Sequence, residues 1–266
     1  MSNSINATPH AARAPLAGKR GLVTGIANVD SIAWGCAAAL RAAGAELAIT
    51  YLNAKAEPHV RPLAERLESP LILPLDVEVQ GQTVAVFDAI ARQWETLDFV
   101  VHSLAFAPSG DLHGRVVDCS PDGFLRAMRV SCYSLLEMAR LAEPLMPNGG
   151  TLLTMTFYGA EKVVRHYNVM GPVKAALQSA TSHLAHELGA KGIRVHAVSP
   201  GPIRTRAASG IHSFDVLVDD AAARTPGGRL VSIEEVGDVA AFLVSDAARG
   251  MNGNVVYVDG GRHAAA

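Results

Sequence analysis

Short apolar runs alternate along the chain with stretches in which apolar residues recur at helical spacing. Strands are predicted at residues 20–24, 46–51, 71–75, 98–103, 150–156, 194–199 and 254–258. Helices are predicted at residues 31–43, 59–67, 80–94, 123–146, 167–188 and 233–245. Strands this apolar are buried on both faces, which happens when helices cover a parallel sheet. The pattern therefore predicts an α/β fold, a doubly wound parallel sheet in three α/β/α layers.

The N-terminal residues and the composition narrow the class of protein and its expected partners. Residues 1–15 lack the apolar core of a secretory signal, so we expect a mobile tail before one catalytic domain over residues 16–266. A net charge of −2 gives no reason to expect a nucleic acid as partner, and no apolar run is long enough for membrane insertion. Three separated cysteines argue against zinc and disulfides and favour a cytoplasmic location.

A glycine turn between the first strand and the first helix is typical of a dinucleotide site. Gly25 follows the strand, Gly35 lies in the helix, and Ser31 is placed to cap that helix. Glycine lets the backbone approach a pyrophosphate, whose charge the helix N-terminus stabilises. The strict G-x-G-x-x-G spacing is absent. The prediction of a dinucleotide site therefore depends on the position of this glycine turn at the start of a Rossmann-type βαβ unit.

Two strand ends bear on which dinucleotide binds. Asp76 closes the third strand, where a carboxylate can accept a hydrogen bond from the adenine amino group; a turn or capping role fits that position equally well. The second strand ends at Tyr51, Leu52 and Asn53. An acid there would hold the ribose of NAD and an arginine would favour NADP, but neither is present. The residues alone leave NADH and NADPH both open.

Several motifs follow one another along the chain. They are residues 25–28 with 31–35, residues 103–108, residues 167–171 with Lys174, residues 201–205 with 207–211, and residues 258–261. With these motifs, residues 16–261 resemble the short-chain dehydrogenase/reductase superfamily and, within it, the NADH-dependent enoyl-acyl-carrier-protein reductases of bacterial fatty-acid synthesis. The resemblance implies an enoyl-thioester reductase that uses NADH, with NADPH not excluded. It also implies an acyl substrate on carrier protein or coenzyme A, and a homotetramer.

The spacing of Tyr167 and Lys174 bears on the reaction. Ketoreductases of the superfamily use Tyr-x-x-x-Lys, but Met170 stands four residues before Lys174 and cannot transfer a proton. On a continuous helix, Tyr167 would lie two turns from Lys174 on the same face. A phenol there can donate to the thioester oxygen, on which charge collects when hydride reaches the β-carbon. Spacing alone equally fits an ordinary amphipathic helix; the flanking motifs favour catalysis, with Lys174 holding the nicotinamide ribose.

The resemblance implies roles for further residues. Those expected at the cofactor are Gly25, Ala27, Ser31, Ile32, Asp76, Val77, Ser103, Leu104, Ala105, Lys174, Ile203 and Thr205. Those expected at the substrate are Phe106, Phe157, Tyr158, Tyr167, Met170, Ala207 and Ile211. A substrate loop is expected around residues 205–228, and His102 is expected to be structural.

Three features depart from the family pattern. Phe157 stands where relatives usually have a tyrosine, and Tyr158 comes one place later. Pro172, two residues before Lys174, is expected to kink the helix or re-aim the lysine. The substrate-loop helix, basic in relatives, has one histidine and three aspartates in residues 211–220. These charges would repel an acidic carrier, so either docking tolerates the change or a paralogue uses coenzyme A or a dedicated carrier.

Two other functions stay open on the sequence alone. One is a ketone or alcohol oxidoreductase on the same fold, against which Met170 argues. The other is a dinucleotide-binding protein without catalysis, because a fold does not guarantee activity. Pro172 and the altered loop are the features that favour this second alternative.

Overall fold

A computed structural model describes residues 14–205 and 214–265. Within them lies a seven-stranded sheet in which all neighbouring strands pair in parallel. The strands are β1 Arg20–Thr24, β2 Glu46–Tyr51, β3 Leu71–Pro74, β4 Phe99–His102, β5 Gly150–Met155, β6 Ile193–Pro200 and β7 Val255–Val258. Their spatial order is β3-β2-β1-β4-β5-β6-β7. The predicted doubly wound sheet is confirmed, and its winding direction changes between β1 and β4.

Helices cover both faces of the sheet. Those of the described residues are α1 Ile32–Ala42, α2 Glu57–Arg66, α3 Gln82–Trp94, α4 Ser109–Leu112, α5 Pro121–Met128, α6 Ser134–Ala142, α7 Met170–Gly189, α8 Phe214–Arg224 and α9 Ile233–Val244. Helices α1, α2 and α9 pack on one face, and α3, α6 and α7 on the other. Successive strand residues alternate between these two cores, as side chains on a strand must. None of the helices in the described ranges is long and apolar enough to cross a membrane.

Two glycines allow α1 and α9 to cross closely. A Cβ on Gly35 would lie 2.2 Å from the carbonyl oxygen of Ile233, and one on Gly237 would lie 2.3 Å from the carbonyl oxygen of Gly35. Any larger residue would force the helices apart. The structure thus gives Gly35 a packing role that the glycine-turn interpretation did not include.

The helix predicted over residues 123–146 is wrong in detail. Its path begins as α5, makes a π-helical turn at Arg129–Tyr133 and continues as α6. A π turn adds about one residue to a single helical turn, and a shift this small within one turn is not distinguished from an α-helix by apolar spacing. The short helix α4 was not predicted, because a single turn leaves no periodic pattern.

Candidate active site

A crevice at the carboxyl ends of β1 and β4 is where an open sheet of this order binds its ligand. Gly25 turns the chain out of β1 with φ of +96°, a conformation that favours glycine. A Cβ at this position would lie 2.0 Å from the carbonyl oxygen of Ser103, at the end of β4. The two turns therefore touch along bare backbone, as the close approach of a pyrophosphate requires.

Ser31 shapes the loop after Gly25. Its hydroxyl oxygen accepts from the backbone N–H groups of Ala27 and Asn28, at 3.0 and 3.1 Å. Ser31 is the N-cap residue of α1, as predicted, but its side chain makes no capping hydrogen bond to the helix: the hydroxyl stabilises the loop instead. No acidic residue stands in the first turn of α1, which begins at Ile32. The first turn of that helix therefore contributes no carboxylate to its positive end, which fits a phosphate group.

Asp76 makes the contacts of a turn residue. Its carboxylate accepts from the N–H of Glu78 at 2.9 Å, and its own N–H donates to Gln82 at 2.7 Å. Glu78 in turn forms two bonds of 2.7 Å with the guanidinium of Arg126, which lowers the pKa of Glu78. Val77 between them is buried. Of the two alternatives for Asp76, the turn is observed, and a contact with adenine stays a prediction.

The π turn fixes the segment that follows β4. Ser131 accepts from the backbone N–H of Phe106 at 3.0 Å and donates to the carbonyl oxygen of the same residue at 3.2 Å. The Phe106 ring is 40% exposed and lies 4.6 Å from the Arg126 guanidinium. Ala105 beside it is exposed, and Leu104 is half-buried. π turns are frequent at functional sites, and this one positions residues 103–106, which are expected to line the cofactor and the substrate.

His102, the last residue of β4, joins the sheet to α6 from a fully buried position. Its ring nitrogens lie 2.8 Å from the hydroxyl of Thr154 and 2.7 Å from that of Ser134. Ser134 donates its own proton to the carbonyl of Val130, so Nε2 of His102 is assigned as a donor and Nδ1 as an acceptor. Burial, and secondly the charge of Lys174, lower the pKa of His102 to about 3. The ring is therefore neutral at pH 7, which fits the expected structural role.

We expect His102 to make folding sensitive to acid. Its pKa is about 6.5 in the unfolded chain and about 3 in the folded one, so only the unfolded chain takes up the proton between these values. The stability that His102 contributes is complete above pH 6.5 and is lost as the pH falls toward 3. The loss should reach about 2 kcal/mol at about pH 5. Urea unfolding of the wild type and of His102→Asn at both ends of this pH range measures the loss of stability. An equal loss in both proteins would contradict its attribution to His102.

Lys174 has its amine inside the protein. The residue is 4% exposed, and Nζ donates to the carbonyl oxygen of Met155 at 2.7 Å. Burial lowers the pKa of Lys174 to about 8, so the amine is still mostly protonated at neutral pH. An ammonium has three donors, and no described residue accepts from the other two. A buried cation with unused donors fits the hydroxyl groups of a ribose.

Tyr167 does not lie on the helix that carries Lys174. Helix α7 begins at Met170, and Tyr167 belongs to the turn before it, where His166 and Asn168 have φ of +64° and +42°. Left-handed residues cannot continue a right-handed helix. The prediction of a phenol two turns from the amine on one helix face was therefore wrong, since the phenol comes from the preceding turn.

Pro172 falls in the first turn of α7. The first N–H groups of a helix have no acceptor within it, so a proline there removes no hydrogen bond. The residue four places earlier, Asn168, lies outside the helix, and its carbonyl accepts from the N–H of Gly171 at 3.0 Å, so it does not depend on the N–H that the proline lacks. Helix α7 runs unbroken to Gly189. The predicted kink was wrong, and the alternative, a re-aiming of Lys174, stays a prediction.

Apolar neighbours hold the ring of Tyr167. The residue is 8% exposed and packs with Met170. The ring of Phe157 meets it edge-on, with centroids 4.8 Å apart and planes at 61°. Burial raises the pKa of Tyr167 and no charged group offsets this, so the phenol keeps its proton and acts as a donor. Of the expected substrate residues, Phe157 and Met170 adjoin Tyr167, whereas the ring of Tyr158 lies against the C-terminal segment.

The segment after β6 is described only in part. Ile203 is half-buried against the core, and Thr205 is half-buried at the last residue before the gap. Ala207 and Ile211 lie in residues 206–213, outside the described part of the chain. Their roles at the substrate stay predictions.

Sequence analysis missed the groups that support this site. Ser131 positions Phe106, and the carbonyl of Met155 holds the amine of Lys174. A backbone carbonyl has no side-chain identity to detect, and the contact of Ser131 depends on the π turn. Within the described ranges no cluster of His, Cys, Asp and Glu could hold a metal ion.

Comparison with known proteins identifies the family. A family model described as "Enoyl-(Acyl carrier protein) reductase" matches residues 25–263. A Rhizobium meliloti protein named enoyl-[acyl-carrier-protein] reductase [NADH] 2 is 47% identical over 92% of this chain and 91% of that protein. A crystal structure of the Bacillus cereus enoyl-acyl carrier protein reductase with NADP⁺ and indole naphthyridinone superposes with a TM-score of 0.92, at 45% identity, over 95% of this chain and 99% of that one. An Anaplasma phagocytophilum enzyme of the same name in complex with NAD gives 0.90 at 46% identity, over 94% and 95%. The chain belongs to the enoyl-acyl-carrier-protein reductase family.

Proposed function

We propose that this chain reduces the trans-2 double bond of an enoyl thioester, with NADH as cofactor, in fatty-acid synthesis. The observation that carries the proposal is the pair of Lys174 and Tyr167. Lys174 is a buried, mostly protonated amine with unused donors, and Tyr167 is a buried phenol that keeps its proton just before the same helix. When bound, the dinucleotide would supply the hydride.

Tyr167 acts where charge collects. Hydride addition at the β-carbon moves negative charge onto the thioester oxygen, so a donor placed there stabilises the transition state more than the bound substrate. A phenol whose pKa is raised by burial acts as a neutral donor and needs no base beside it. Met170 has no proton to give, so nothing in this site favours ketone or alcohol reduction. A non-catalytic role loses one of its supports because Pro172 leaves α7 unbroken.

The remaining residues hold the cofactor. Lys174 donates to the nicotinamide ribose, while the carbonyl of Met155 orients its amine. The backbone around Gly25 and the N-terminus of α1 accommodate the pyrophosphate. NADH is proposed because β2 ends at Tyr51 without a following arginine to hold a 2′-phosphate, and because the curated relatives are named for NADH.

Assembly and location follow the family. We propose a cytoplasmic homotetramer; the part of the expected tail before residue 14 and residues 206–213 of the expected substrate loop lie outside the described chain. Leu125 and Tyr133 are 65% and 56% exposed in the single chain, which supports their burial between subunits. Cys36, Cys119 and Cys132 are unpaired, as a reducing compartment would keep them.

Charge on α8 bears on the carrier of the acyl chain. This helix has three aspartates and one arginine, so it repels an acidic carrier protein. We therefore propose that the carrier protein binds this helix weakly and that coenzyme A is an alternative carrier.

One assay tests both proposals. It follows NADH oxidation with the same trans-2-enoyl chain on an acyl carrier protein, on coenzyme A and on neutral N-acetylcysteamine. Absence of turnover with all three would contradict the proposed function.

Asp219→Lys on α8 should raise kcat/KM for the carrier protein about three- to tenfold at low salt and leave kcat/KM for the neutral thioester unchanged. Asp88→Lys on the exposed face of α3 is the matched control, and an equal rise in both variants would contradict the argument from α8.

A further inference from the structure

Residues 257–263, the end of β7 and the turn that follows it, fold back on themselves and are here called the C-terminal hook. Asp259 is 6% exposed, and its carboxylate accepts from the backbone N–H groups of Gly261 and His263, at 3.0 and 2.7 Å. The ring nitrogen Nδ1 of His263 lies 3.0 Å from the same carboxylate. The ring of His263 stacks on Tyr257, with centroids 3.7 Å apart and planes at 9°. These contacts make the hook a fixed element rather than a loose terminus.

Two contacts join the hook to the turn Tyr158–Ala160 and the residue after it. The hydroxyl of Tyr257 donates to the carboxylate of Glu161. The guanidinium carbon of Arg262 lies 5.8 Å from the centre of the Tyr158 ring. Burial and the Glu161 carboxylate raise the pKa of Tyr257, so the hydroxyl remains a donor at neutral pH.

The other side of this turn contacts Tyr167. A Cβ on Gly159 would lie 2.5 Å from Cδ1 of Tyr167, so the backbone of the turn touches the phenol ring. Phe157, which precedes the turn, packs edge-on against the same ring. The carbonyl of Gly159 also lies near Gly171 in the first turn of α7. The turn therefore lies between the catalytic tyrosine and the hook.

We propose that the C-terminal hook positions Tyr167 by holding the turn at residues 158–161, with Tyr257 and Glu161 as positioning residues. This inference rests on the proposed role of Tyr167 in enoyl reduction. The ring of Tyr167 has apolar packing, and the turn touches it through the backbone of Gly159. Releasing the turn leaves the hydroxyl chemically intact but less often in reach of the thioester oxygen, which costs turnover.

Tyr257→Phe tests the inference, since it removes one hydroxyl and keeps the ring stacked on His263. We expect kcat to fall about tenfold while the Kd for NADH stays unchanged. Glu161→Ala should have the same effect, and the double variant should be no worse than either single one. Glu161→Gln keeps an acceptor oxygen and should restore most of the activity. Glu143→Ala, which removes the acceptor of the exposed ion pair with Lys191, is the matched control for Glu161→Ala and should leave kcat unchanged.

A second measurement separates this inference from the proposed function. Amide hydrogen exchange over residues 157–167 should be about tenfold faster in Tyr257→Phe than in the wild type, whether or not the protein reduces enoyl thioesters. Unchanged exchange in that segment would overturn the positioning role. Additive losses of kcat in the double variant would also overturn it. So would a loss of kcat in Glu161→Gln as large as the loss in Glu161→Ala.

Discussion

Tyr167→Phe is expected to lower kcat for enoyl reduction about 100- to 1,000-fold, the range found when one donor to a developing oxyanion is removed. The substitution deletes only the hydroxyl. The ring keeps its packing against Phe157 and Met170, so the thermal stability should be unchanged. The Kd for NADH should also be unchanged, because Lys174 holds the cofactor. Steady-state NADH oxidation together with a binding titration separates the two effects.

Tyr158→Phe is the matched control for that variant. Tyr158 is the neighbouring candidate phenol, but its ring lies by Arg262 of the C-terminal hook rather than beside Tyr167. Its loss of kcat should therefore be less than about threefold. If Tyr158→Phe lost more activity than Tyr167→Phe, the roles of the two tyrosines would have to be exchanged.

Lys174→Met is expected to weaken NADH binding about 10- to 100-fold, because hydrogen bonds from a charged donor are worth about 1.5–3 kcal/mol. Methionine fills similar space, so the core should stay packed. The buried amine has a lowered pKa because burial disfavours its charge, and removing that charge should leave the melting temperature equal or higher. Fluorescence titration with NADH and a thermal melt measure the two quantities.

Lys191→Met is the control for Lys174→Met. Lys191 forms an exposed ion pair with Glu143, at 2.6 Å, on the surface of the protein. Exposed pairs contribute little, so neither the Kd nor the melting temperature should change measurably. An unchanged Kd in Lys174→Met would show that the amine does not contact the cofactor.

The sheet could be predicted from sequence because its strands are short, apolar and buried on both faces. Errors came where one or two residues decide the backbone path. His166 and Asn168 take left-handed conformations, and this alone moved Tyr167 off α7 and placed Pro172 in a first turn. Neither residue is a glycine; histidine and asparagine are enriched in left-handed conformations but are also common in helices, so the local signal was weak. The π turn at Arg129–Tyr133 was hidden for a similar reason, because apolar spacing there still reads as a helix.

The site residues also differ in how far the sequence could predict them. Gly25 is detectable because its conformation and its contact with Ser103 exclude a side chain. Ser31 was found at the right place with the wrong partner, since a hydroxyl before a helix can bond the helix or the loop. The two contacts that tie Tyr257 and Arg262 to the turn at 158–161 connect residues about a hundred positions apart, which no local pattern reports.

A crystal structure with the oxidised dinucleotide and a trans-2-enoyl thioester bound together would test the central claim most directly. The account predicts that the hydroxyl of Tyr167 lies within hydrogen-bonding distance of the thioester carbonyl oxygen and that the amine of Lys174 donates to the nicotinamide ribose. The account would be contradicted by a complex in which the β-carbon is placed to receive the hydride but either group points away from these atoms.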